Sequence, residues 1–242
     1  MTARTLPSLP LIAHDLVKIL KWFALVWGAL VVVVAGIIAV TATLYHPPTS
    51  SILDGSLNAP RYWGLVTGVF VTYGGLPQYV AAGLTRRRFA INAAIVSAAA
   101  AVMAGVLTTI SLYVEGLFYD AQGWHHKLTQ PHLFTSSDQV ATALLEFTLV
   151  FGTYFFAGWM IGSAFYRWRL WAIPLAVVGY GLALATEAAL GTGWIASTLN
   201  NTVGKVHGSM PLAVVVGVVA MAAMAVTNWG LVRDVPIASR RT

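Results

Sequence analysis

Apolar stretches separated by short polar ones fill most of the chain. Six of them reach or exceed the roughly 20 residues that a helix needs to cross a bilayer. They are residues 22–45, 63–84, 90–114, 140–166, 170–195 and 211–232. Each is apolar nearly all round, as in VVVVAGIIAV of the first and SAAAAVMAG of the third. The short alternating segments of a transmembrane barrel are not present. The pattern predicts an all-α integral membrane protein with six transmembrane helices and short loops. The first apolar run is longer than a secretory leader's core and begins after 21 residues, so it is expected to stay as a span.

Polar positions refine this plan. In LPLIAHDLVKILKW, Leu16 and Ile19 share a face with Leu11, Ile12 and Leu20, while His14, Asp15, Lys18 and Lys21 fall mostly elsewhere. That spacing predicts an amphipathic interfacial helix before the first span. Residues 1–21 are then a terminal segment, 22–232 one transmembrane domain and 233–242 a tail. Gly74, Gly75 and Pro77 interrupt the second span and predict a kink or local unwinding. Gly64 and Gly68, Ala101 and Gly105, and Ala213 and Gly217 are spaced for close helix packing.

Composition removes several function classes. Hydrophobic residues make up 58% of the chain, charged ones 9%, and mean hydropathy is +0.75. So few charges cannot coat a soluble enzyme, a disordered chain or a nucleic-acid-binding domain of this length. The net charge of +6 has a membrane explanation. Eleven of the 14 Lys and Arg residues lie on loops and termini that would share one side, and only Arg61, Lys127 and Lys205 lie on the other. The positive-inside rule then predicts that both termini are cytoplasmic. There is no cysteine, hence no thiolate metal site.

The candidate chemistry is sparse. Glu115, Glu146 and Glu187 come from three spans and fall toward the outer ends of these. Glu146 and Glu187 lie roughly 9 and 12 Å in, at 1.5 Å per residue. Ionisable groups at such depths are costly and often functional, and the three are candidates for an acidic outer vestibule. The alternative is that each bonds a neighbouring helix. All six histidines lie outside the spans, which disfavours haem. His125, His126 and His132 share one outer loop and are expected to be solvated rather than metal-bound. No span carries a lysine for retinal, and no GxxxxGK[ST] loop for ATP is present.

The stretch GLPQYVAAGLTRRRFAINAAIVSAAAAVMA contains a short basic turn, Gly83, Thr85, Arg86, Arg87, Arg88 and Phe89. Glu115 follows at the end of the third span, and GSAFYRWRLW closes the fourth. In that order these features resemble the membrane (permease) subunits of small bacterial ABC exporters, the six-helix drug-efflux-like class. The resemblance implies a permease in the bacterial cytoplasmic membrane that forms the transmembrane path. It implies pairing with itself or a sister permease, and a separate cytoplasmic ATPase subunit that holds ATP and Mg. This chain would bind no cofactor itself. The helix before the first span and the 83–89 turn would touch the ATPase, with Gly83 at the start of the turn. Cargo would be a lipophilic or amphipathic drug, peptide or lipid. Such exporters often carry a re-entrant hairpin between spans five and six, where this chain has GTGWIASTLNNTVGKVHGSM. Two other readings stay open: a non-transporting scaffold or sensor subunit, and a secondary transporter, which would need acids nearer the midplane.

Overall fold

The computed structural model describes residues 9–193, 198 and 208–235. The described residues form helices and no strand. In chain order these are α1 (Leu9–Leu44), α2 (Ile52–Ser56), α3 (Asn58–Phe70), α4 (Leu76–Ala81), α5 (Arg86–Ala121), α6 (Val140–Trp168), α7 (Ile173–Leu190) and α8 (Met210–Val232). A single π turn, Val71–Gly75, joins α3 to α4, and a short 3-10 turn, Arg169–Ala172, joins α6 to α7. Four stretches are long and apolar enough to cross a membrane: Leu16–Leu44, Arg86–Ala121, Val140–Leu190 and Met210–Val232. The third contains two rods, because α7 doubles back along α6 and brings Gly179 against Met160.

α6 is the central mast. It is buried on every side over most of its length, the pattern of a helix apolar all round. α3, α5, α7 and α8 pack around it. α1 leans on the outside of α5 and α6 through Trp27, whose indole donates to Ser111 at 2.9 Å and meets Phe151 edge-on. Outward faces are strongly apolar: Val32, Leu25, Val177, Val215 and Val226 are all exposed. Exposed apolar surface on this scale is what a lipid-facing bundle presents.

Small residues set the α3–α6 approach. A side chain at Gly68 would collide with the Phe155 carbonyl, and side chains at Gly158 and Gly162 would collide with the Leu65 and Val69 carbonyls. Gly64 lies beside the same seam, near the Phe155 ring. The spaced glycines of the second span therefore serve packing within the chain, and a second pair on α6 completes the seam. The α3–α4 interruption falls where Gly74, Gly75 and Pro77 place it. Glycine weakens the helix, and Pro77 has no N–H to offer the turn before it. The π turn absorbs the mismatch and leaves Thr72 paired with Ser163 of α6 at 2.7 Å.

The amphipathic segment does not end before the first span. α1 continues unbroken from Leu9 to Leu44, because the stripe of Leu16 and Ile19 runs on into Phe23 and Trp27. Leu16 and Ile19 are half-buried and Lys18 and Lys21 are exposed, so the two faces exist on one continuous rod. The connection at 191–210, where ABC exporters of the six-helix class often carry a hairpin, lies mostly outside the described residues, as does most of the tail.

Candidate functional site

Polar chemistry gathers at the two ends of the bundle. The end bearing α2, the start of α6 and the end of α5 is the carboxylate end. The opposite one, bearing the end of α4 and the start of α5, is the arginine end.

At the carboxylate end Ser51 caps α2, its hydroxyl accepting from the Asp54 N–H at 3.0 Å. This cap turns the Asp54 side chain into the protein, where it is 0% exposed. One carboxylate oxygen accepts from the Thr129 and Gln130 amides and the Thr129 hydroxyl, at 2.6, 2.9 and 2.8 Å. The other meets His132 Nε2 at 2.8 Å. The second ring nitrogen, Nδ1, meets a Glu146 oxygen at 2.6 Å, and the other Glu146 oxygen accepts from the Leu133 amide at 2.8 Å. Phe134 stacks on the imidazole at 4.5 Å, and Phe147 closes its edge.

A histidine between two carboxylates donates from both nitrogens only as the imidazolium. Burial alone would lower the His132 pKa, but the hydrogen bonds and charges of Asp54 and Glu146 outweigh it and push the pKa up to about 9. For Asp54 the largest single influence is again burial, which raises its pKa. His132, with the Gln130 amide and the Thr129 hydroxyl, overcomes burial and leaves the carboxyl below its ordinary value.

Glu115 belongs to the same network. Its oxygens accept from the Ser51 hydroxyl at 2.5 Å and from the first two amides of α2, Ile52 and Leu53, at 3.0 and 3.1 Å. His126 Nε2 lies 3.2 Å away. Ser51 and Asp54 connect Glu115 to His132 and Glu146: the Ser51 hydroxyl donates to Glu115 and accepts from the Asp54 amide, and the Asp54 carboxylate meets the ring that Glu146 holds from its other side. Glu187 stands apart. It is ion-paired with Arg61 at 3.0 Å, with both side chains buried, and Tyr154 lies alongside. Gly193, at φ +74°, passes so close to the Glu187 carboxylate that any side chain there would collide with it.

These contacts correct one expectation and give the surroundings of the three acids. The loop histidines are not all solvated. His125 is exposed, but the His126 and His132 side chains are 8% and 0% exposed, because buried carboxylates claim them. His132 spends both nitrogens on those carboxylates and keeps no lone pair for a metal. Glu115, Glu146 and Glu187 are all buried. They are 7%, 1% and 1% exposed, and each has a hydrogen-bond or ion-pair partner on a neighbouring element. Asp54, Arg61 and Ser51 were missed as site residues. The Ser51-x-x-Asp54 spacing is a readable cap signal, and Arg61 is the basic residue at the very edge of an apolar span.

At the arginine end, Gly83 at φ +73° ends α4 with paired bonds from its own amide to Val80 and from Leu84 to Tyr79. This is a Schellman cap. Two residues later Thr85 caps α5 by accepting from the Arg88 amide. Phe89 is buried, packed edge-on against Tyr79 and over Gly75, where a side chain would strike its ring. Its ring is thus withdrawn from the surface. Arginines at a helix start oppose the helix dipole, and here Arg86 turns to the far end of α8 and donates to the Arg233 carbonyl at 3.3 Å. Arg167 donates to the Gly230 and Leu231 carbonyls at 3.0 and 2.9 Å, where a cation is favoured. Arg88 is half-buried and Arg87 is exposed. Trp168, Leu170 and Trp171 are exposed beside them.

Comparison of the chain with protein-family models, curated proteins and solved structures finds no match.

Proposed function

We propose that this chain is the permease subunit of an ATP-driven, ABC-type exporter of a bacterial cytoplasmic membrane. It crosses the membrane six times with both termini in the cytoplasm. It pairs with a second permease, itself or a sister chain, and couples to a separate cytoplasmic ATPase that carries ATP and Mg. Its cargo is lipophilic or amphipathic.

The observation that carries this reading is the construction of the 83–89 turn. Two caps back to back fix its shape and leave Arg87 pointing out from the arginine end. Behind it the turn is tied to three elements. Phe89 sits in the Gly75–Tyr79 socket beside the π turn, Arg86 holds the end of α8, and α5 continues to Glu115 about 44 Å away at 1.5 Å per residue. A partner that pressed on Arg87 would displace α5, α8 and the weakest turn of the α3–α4 rod together. ATP binding on such a partner shifts the bundle only by favouring one arrangement of it, so coupling must appear as a difference in affinity between two states. The exposed tryptophans beside the arginines suit the membrane interface.

The test is a mild-detergent pull-down of the tagged chain from its native membrane. A stoichiometric ATPase subunit is expected, and its absence from intact protein overturns the reading. In the purified complex, Arg87→Ala is expected to lower cargo-stimulated ATP hydrolysis at least fivefold (about 1 kcal/mol of coupling) with membrane insertion unchanged.

A further inference from the structure

Between α1 and α5, in the half of the bundle nearer the carboxylate end, lies a cavity of about 600 Å³. That is the size of a small-molecule site. It follows α1 from Val31 to Thr43, a length of about 18 Å at 1.5 Å per residue. Ala35, Ala39 and Ala42 make the room, since their short side chains leave the space between α1 and the Ile110 and Val114 side chains unfilled. The body of the cavity is apolar. Its head is not: there Glu115 lies beside Phe118 and Trp124, whose rings meet edge-on with centroids 5.8 Å apart.

We propose that this cavity binds an elongated lipophilic cation, its apolar body along α1 and its charged group at the Glu115–Phe118–Trp124 corner. Aromatic faces and a carboxylate are the two surfaces that recognise an organic cation. The charge fits as well. Glu115, Asp54 and Glu146 are joined in one network with His132 and His126. The network holds three acidic side chains against two imidazoles, so acidic groups are in the majority beside the corner. The Glu115 oxygens are already occupied by Ser51, Ile52, Leu53 and His126, so the carboxylate attracts through its field rather than by a new hydrogen bond. A neutral acyl chain would use the apolar body and gain nothing from this corner. As a binding site the cavity stands on its own geometry. As a cargo site it rests on the transporter reading.

The experiment uses the whole chain in nanodiscs and two rod-shaped fluorophores, trimethylammonium-diphenylhexatriene and the uncharged diphenylhexatriene. Saturable anisotropy is expected for the cation alone. Glu115→Gln, which still accepts from the α2 amides, is expected to weaken it at least tenfold. Ala39→Trp is expected to abolish it by filling the cavity. Ala39 is exposed, so the larger side chain enters open space rather than the core. Equal saturable binding of the neutral rod would make the cavity a lipid-chain groove and overturn the proposal. So would cation binding that survives Ala39→Trp. No ATPase is present in this assay. Its failure therefore leaves the transporter reading intact, and the lack of an ATPase partner in the native membrane would leave this site intact.

Discussion

His132 keeps its place through two charged hydrogen bonds, and both depend on its proton. Its pKa in the folded protein, about 9, lies above the ordinary 6.5. Its contribution to stability is therefore complete below pH 6.5 and is lost as pH rises through about 9. Asp54 behaves oppositely. Its carboxyl is held below the ordinary 3.8, so its contribution is present above that pH and is lost as pH falls below it. The network should be strongest between these limits. Thermal unfolding of the purified chain is expected to weaken by up to about 3 kcal/mol from pH 6.5 to pH 9.5 or so. His132→Gln should be less stable at pH 6.5 and should lack that slope. An equal slope in the variant would show that other groups cause it. This pairing could not be read from the chain in advance. Asp54 and His132 are separated by 78 positions, and nothing local to QPH distinguishes a buried imidazolium from a solvated ring. Glu115, Glu146 and Glu187 were legible as buried acids because a charge inside an apolar span stands out. Their partners were not: Ser51, His126 and His132 come from connections with no periodicity, and Arg61 of α3 is separated from Glu187 by 126 positions.

At the level of helices, close packing and capping decide most of the geometry, and glycine tests both. Gly158→Ala and Gly162→Ala press a methyl group against the Leu65 and Val69 carbonyls on the neighbouring helix. Backbone cannot yield as a flexible side chain can, so each is expected to destabilise by about 1–3 kcal/mol. Gly28 and Gly36 lie in the middle of α1, and an added methyl group at either would meet nothing within 4 Å. Alanine there should be neutral or stabilise by up to about 1 kcal/mol through helix propensity alone. Reversible unfolding in mixed micelles measures all four, and similar losses at Gly36 and Gly158 would refute the seam. The turn at Gly83 and Thr85 was visible in sequence, since a glycine stop and a threonine start are chemically specific. The interruption at Gly74, Gly75 and Pro77 was visible as a place, though not as a π turn. The α6 half of the glycine seam was harder to see. Gly158 and Gly162 have the same four-residue spacing as Gly64 and Gly68, but they sit in a run apolar all round, and the partner helix shows what that spacing serves.

For the whole molecule the number of crossings turns on the α3–α4 rod. It is not among the four stretches that qualify by length and composition, and it carries Arg61 and a π turn. Under the proposed six-span plan it crosses, and three features are compatible with that. From Asn58 to Ala81 its helical path rises about 36 Å, more than the roughly 30 Å hydrocarbon core. Arg61 is neutralised by Glu187 inside the protein, so its charge does not face lipid. The rod also lies along α6 in the same direction, from Leu65 opposite Gly158 to Thr72 opposite Ser163. The absence of cysteine makes this directly measurable. Single cysteines at Thr49, Arg87, Ser136 and Asp234 occupy exposed positions in four connections or ends. An impermeant maleimide on intact cells is expected to label Thr49→Cys and Ser136→Cys. Arg87→Cys and Asp234→Cys should react only after permeabilisation. If α3–α4 does not cross, Thr49→Cys and Arg87→Cys will react from the same side. The six-span plan would then fail along with the cytoplasmic placement of the arginine turn.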